Sequence, residues 1–148
     1  PSTSGRLALA DIKQTFGSVQ TMSVTGLGTL ANAVSVTSTA IDTVTDGWLD
    51  IEATLSVTTG AATVDKSLVE IYVKGSVDAT DYDDDANDRL AAIVIMSGTG
   101  AQTRKKTLMM IPTFGTLPAS LSFRIRNATG DAFTSATLKW RGVKLQSI

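Results

Sequence analysis

The sequence contains no cysteine and no histidine. The first absence rules out a disulfide framework. The two together remove the usual zinc ligands, the Ser-His-Asp triad, the thiol nucleophile and the commonest general base. Aromatic residues make up 5% of the 148 positions, two Trp, two Tyr and four Phe, too few to build a base-stacking platform and also fill a core. An excess of charge of either sign is missing too. Thirteen basic and fourteen acidic side chains leave a net charge of −1, so no basic field gathers nucleic acid or anionic lipid. Neither nucleic acid nor a membrane is an expected partner. The longest apolar runs, "LAAIVIM" and "TLMMIP", fall far short of the ~20 residues that cross a bilayer. "GRLALADI" has too short an apolar region for a signal peptide. A leading proline is what removal of an initiator methionine would leave, and a soluble product of the cytosol is expected.

What is present is alternation. In "WLDIEATLSV", Leu49, Ile51, Ala53, Leu55 and Val57 share one face, and Asp50, Glu52, Thr54 and Ser56 the other. Successive side chains on a strand point to opposite faces, so this pattern predicts a half-buried strand. "LVEIYVKGSV" turns Val69, Ile71 and Val73 inward and Glu70 and Lys74 outward. "LSFRIRN" sets Leu121, Phe123 and Ile125 against Ser122, Arg124 and Arg126, and "ATLKWRGVKL" sets Ala136, Leu138 and Trp140 against Lys139 and Arg141. Weaker strands are expected over Ser18–Val24, Ala33–Thr37, Leu90–Met96 and Lys105–Ile111. Turn signals at Asp46-Gly47, Thr59-Gly60, Gly98–Gly100 and Thr129-Gly130-Asp131 separate them. "ALADIKQTF" is the one helical candidate. About eight strands in one domain predict an all-β fold, a single antiparallel β-sandwich with the jelly roll as its topology. Residues 1–15 read as an extended N-terminal arm and residues 16–148 as the sandwich.

Six aspartates, Asp78, Asp81, Asp83, Asp84, Asp85 and Asp88, crowd into "VDATDYDDDANDRL". Asp81, Asp83, Asp85 and Asn87 alternate as at the start of an EF-hand loop. That loop needs glycine at its sixth position and a bidentate glutamate at its twelfth, and here those positions are Ala86 and Ala92. No metal site and no cofactor is expected. The stretch reads as a solvated loop whose like charges keep it extended. Carboxylate catalysis needs two carboxyls facing a cleft, one with a raised pKa. Glu52 and Glu70 sit on outward faces, and the aspartates sit in a loop that does little to desolvate them, so no catalytic residue is assigned and no enzyme is expected. "NAT" at Asn127–Thr129 matches a glycosylation acceptor but reads as turn chemistry. "GLGTL" at Gly26–Leu30 is a bend lacking the third glycine of a dinucleotide loop. Trp48 and Trp140 are assigned to the core or its margin. The run Arg104-Lys105-Lys106 opens a strand and reads as a solvated strand entry, with docking to an acidic partner surface as the rival.

Several segments stand in a recognisable order: "FGSV" at Phe16–Val19, "TSTAIDTVTDGWLDIEATLSVTTG" at Thr37–Gly60 and "VEIYVKGSVDATDYDD" at Val69–Asp84. "FGTLPASLSFRIRNATGDAF" at Phe114–Phe133 and the closing "ATLKWRGVKLQ" follow. From Phe16 onward the chain resembles a family of small virion structural proteins of tailed bacteriophages, the jelly-roll decoration (cement) proteins of the head. The resemblance rests on strand patterns and turns, not on catalytic signatures. It implies a non-enzymatic protein, commonly a homotrimer, that binds the major capsid protein on the outer capsid surface and stiffens the head. The expected location is the virion, after assembly in the host cytoplasm. Candidate partner-binding residues are Arg6, Leu7, Leu9 and Ile12 of the arm, with Arg104, Lys105 and Lys106. The alternative on the same scaffold is a tail or fibre component, or a carbohydrate-binding module for receptor recognition, since a fold does not fix a function. Glycan binding is the lesser expectation.

Overall fold

A computed structural model describes residues 12–147. Ten strands form two antiparallel sheets: β1 (Ile12–Phe16), β2 (Gln20–Thr21), β3 (Ser35–Thr37), β4 (Ile41–Asp42), β5 (Asp50–Thr59), β6 (Leu68–Ser76), β7 (Arg89–Ile95), β8 (Thr103–Met109), β9 (Ser120–Ala128) and β10 (Phe133–Ser147). One sheet runs β1-β10-β5-β8, with β2 also on β10. The other runs β3-β9-β6-β7, with β4 also on β9. Taking β1 with β2 and β3 with β4 as two interrupted strands leaves eight, in jelly-roll order. Only the β6–β7 connection stays within one sheet, and every other one crosses between layers. That connection is the aspartate-rich segment, so the charges lie where a hairpin closes back on its own sheet.

The alternation becomes the core. Ile51, Leu55, Val57 and Leu138 from one sheet meet Val69, Ile71, Leu121, Phe123 and Ile125 from the other, all fully buried. Each such side chain contributes roughly 1.5–3 kcal/mol by leaving water. The β5–β10 pairing holds unbroken register from Val57↔Ala136 to Asp50↔Val143. Register of that length keeps Ile51, Ala53, Leu55 and Val57 on the same face as Ala136, Leu138 and Trp140. Trp140 is half-buried against the core.

Some expectations need correction. Leu49 is 53% exposed, not buried. Trp48 serves as the apolar residue at this end of β5 instead, laid across β10 where a Cβ on Gly142 would fall 1.9 Å from its ring. A glycine in a strand interior marks such a close approach. Asp50, placed on the outer face, is buried because its Oδ1 accepts hydrogen bonds from the Ile51 and Ile111 amides, 2.8 and 2.9 Å. The second of these ends β8 early. The strand stops at Met109, and Met110–Phe114 forms a short helix, α1, that closes on Gly115 in a left-handed conformation (φ 77°). Pro112 is tolerated there because the first helical turn needs no amide from it. The helical candidate fails over its described part, since Ile12–Phe16 is β1 and pairs residue by residue with Val143–Ser147. The sheet therefore reaches into residues 12–15, which the sequence assigned to the arm.

Candidate interaction sites

The aspartate segment is not wholly solvated. It folds over the outer face of β6 and β9, and two of its carboxylates meet cations there. Asp88, whose side chain is 1% exposed, accepts two bonds from Arg124, Nε at 2.6 Å and Nη2 at 3.0 Å. Its Oδ2 also lies 3.6 Å from the Lys74 ammonium. Lys74 Nζ donates to Asp85 at 2.5 Å and to the Asp83 carbonyl at 3.0 Å. The guanidinium of Arg124 sits 4.0 Å from the Tyr72 ring centroid, and the Tyr72 hydroxyl donates to Glu70, which also faces Arg126 at 3.5 Å. The pKa directions follow these contacts. The Lys74 hydrogen bond holds the Asp85 carboxyl below its ordinary range, the bond to Asp88 raises Arg124, and the bond to Glu70 raises Tyr72. Two cations side by side on a sheet face would repel, and the loop's carboxylates neutralise them. The arrangement clamps a loop. Among the described residues, no three carboxylates converge in a way that would hold a metal ion.

Beside this clamp, at the end of the sandwich, a cleft of about 400 Å³ opens between β6, the aspartate segment and the α1 region. Val73, Met110, Phe114 and Pro118 form its apolar floor and walls, while Asp81, Asp83 and Arg89 stand at its rim. Sequence reasoning did not single out Arg89 or Phe114. Arg89 directly follows the aspartates in the chain, whereas Phe114 is distant in sequence and is placed there only by the cross-layer connection after β8.

The candidate partner-binding residues do not converge. Ile12 lies on β1, at one margin of its sheet, and is 42% exposed. Arg104, Lys105 and Lys106 lie on β8, at the opposite margin, with β10 and β5 between. At about 4.8 Å per strand spacing this separates the two by roughly 14 Å. The basic run is also divided. Lys105 is exposed on the outer face between Thr103 and Thr107, while Arg104 is occupied by Gln102 Oε1 at 2.9 Å and the Ser97 carbonyl at 3.4 Å. Arg6, Leu7 and Leu9 lie outside the described residues. Ile12 has neighbours that the sequence did not indicate. Phe16 and Leu145 share its face through the β1–β10 register and are 47% and 56% exposed, and Arg141 stacks on Phe16 at 4.0 Å.

Asn127 is fully buried. Its amide donates to the Leu30 and Asp131 carbonyls and its Oδ1 accepts from Thr129, which is the turn role expected of "NAT". Among the described residues the buried indole N–H of Trp48 has no hydrogen-bond partner, and the Lys144 ammonium stands 5.2 Å from the ring centroid.

No family model matches this chain, and no curated protein matches it either. Among solved structures it is similar to one from the Gx strain of infectious bursal disease virus, at 11% identity and a TM-score of 0.47, over 88% of this chain and 32% of that one. It spans about a third of that structure's chain. It is also similar to the CBM22-1 xylan-binding domain of Paenibacillus barcinonensis Xyn10C, at 13% identity and a TM-score of 0.39, over 91% and 86% of the two chains. A third is the carbohydrate-binding module CBM36 in complex with calcium and xylotriose, at 8% identity and a TM-score of 0.39, over 88% and 100%. Likeness this distant is a matter of sandwich shape and carries no function across.

Proposed function

We propose that this protein acts by binding, as a non-enzymatic structural component of a virus particle: a head decoration protein that docks on the outer surface of the major capsid protein as a homo-oligomer. The observation that carries the reading is the β1 margin. Ile12, Phe16 and Leu145 form an exposed apolar patch on the outer face of a sheet whose last strand is β1. An edge strand with apolar neighbours is a template for pairing, and proteins cover such edges or use them. The residues just before β1 include Arg6, Leu7 and Leu9, so in sequence the arm runs directly into the patch. Ordering an arm costs on the order of 1–2 kcal/mol per residue in backbone entropy. Apolar contact on a partner offsets that cost, and several copies acting together multiply a modest grip.

The test is a chain beginning at Ile12, which keeps the whole of β1, compared with the full chain in folding, oligomeric mass and retention on capsids. The expected result is an unchanged fold with lost retention, and Phe16→Ser in the full chain should weaken retention as well. Equal retention by all three proteins removes the arm and the patch from the docking surface.

A further inference from the structure

We propose that the cleft at the end of the sandwich binds one neutral sugar ring, a hexopyranose presented at the end of a glycan. This does not rest on how the β1 margin docks. The cleft's volume of about 400 Å³ lies at the lower end of the range for small-ligand pockets, suited to about one or two rings and not to a long chain. Its chemistry is divided in a way that excludes simpler ligands. Asp81, Asp83 and Arg89 line it with charge of both signs, and no ion pair joins them among the described residues. An anion meets the two carboxylates, and a cation meets the guanidinium. A hydroxyl both donates and accepts, so a ring carrying hydroxyls around its perimeter satisfies groups of both signs with no charge of its own. The ammonium and carboxylate of an α-amino acid issue from a single carbon and reach less of the rim.

The cleft is also prepared for a flat apolar face. Phe114 lines it together with Val73 and Met110, and the Arg89 guanidinium stands over one face of the Phe114 ring, 5.9 Å from its centroid. The C–H face of a pyranose packs on such a ring. The acceptors are held in place. Asp78 Oδ1 accepts from the Thr80 and Asp81 amides at 2.9 Å each, fixing the turn that carries Asp81. Asp83 Oδ2 accepts from the Gly75 amide at 3.0 Å, which leaves Oδ1 outside any hydrogen bond among the described residues. Gly75 itself keeps the wall open, since a Cβ there would come within 3.3 Å of Pro118 Cγ.

The experiment is a titration of the isotope-labelled full chain, followed by amide chemical shifts. The ligands are the methyl pyranosides of glucose, galactose, mannose and N-acetylglucosamine, with glycine and lysine as charged comparisons. At least one pyranoside should give saturable shifts at Gly75, Asp83, Arg89 and Phe114, with a Kd of about 1 mM or below. Asp81→Ala and Arg89→Ala, both on exposed residues, should each weaken it about tenfold, and Lys105→Ala should leave it unchanged. Phe114→Ala should abolish binding, and if that variant fails to fold the two exposed substitutions still decide. Absence of saturable shifts with all four pyranosides overturns the proposal. So does a response to glycine or lysine alone, or full affinity in both Asp81→Ala and Arg89→Ala.

Discussion

On the outer face of β5 and β8, Thr54 meets Thr107 and Thr58 meets Thr103 through hydroxyl contacts of 2.8 Å, each at least partly open to water. On the outer face of β6 and β9, Lys74 and Arg124 are buried beneath the aspartate segment, with Asp88 shut between them. Both faces arise from the same sequence pattern, polar residues at every second position. The difference lies in what covers them. The β5–β8 face carries polar groups that water satisfies whether or not a neighbour does. The β6–β9 face carries in Lys74 and Arg124 full charges that water barely reaches, so each depends on a specific partner. A polar residue on a strand's outward side is therefore cheap or costly to remove according to a loop elsewhere in the chain.

Asp88→Ala gives the largest expected effect. It leaves the Arg124 guanidinium buried without its bidentate acceptor, and breaking a buried pair by removing one partner costs about 3–5 kcal/mol. Urea unfolding should show that loss. A loss under about 1 kcal/mol would mean the segment lifts off and lets water in, making the two faces alike. A second comparison uses the two sides of one strand. Leu55→Ala should cost about 2–5 kcal/mol, whereas Thr54→Ala, on the solvated ladder, should cost at most about 1 kcal/mol. Equal costs would place the strand in the opposite register.

The smallest effect is that of acid on the clamp. The folded-state pKa of Asp85 is depressed by Lys74, so its contribution to stability is present above the unfolded value, about 3.9, and is lost as pH falls through the lower folded value. Asp85→Asn should therefore lose stability less steeply than the parent below about pH 4. Identical acid profiles would remove Asp85 from the clamp.

The cores of β5, β6, β9 and β10 were legible because each alternates over enough residues to leave one reading. Leu55, Ile71 and Phe123 are fully buried, as their spacing requires. Leu49 was misplaced because alternation says nothing about where a strand begins, and β5 begins at Asp50. The aspartate segment was read as solvated because charge density describes a loop but not its resting place. Its partners Lys74 and Arg124 are fifty residues apart from each other in the chain and meet only through the pairing of β6 with β9. The β1 margin escaped notice for the same reason: Phe16 and Leu145 lie at opposite ends of the sequence and share a face through a register that the sequence does not print.

By itself, then, the sequence determined that this chain is a strand sandwich with an apolar interior and without histidine or cysteine chemistry, because periodicity and composition are local quantities. Only the tertiary structure decided which outward charges are buried, which apolar residues remain bare at β1, and where Phe114 meets Asp81, Asp83 and Arg89. Each of those depends on strand order and on the crossings between layers, which bring together residues that no local pattern relates.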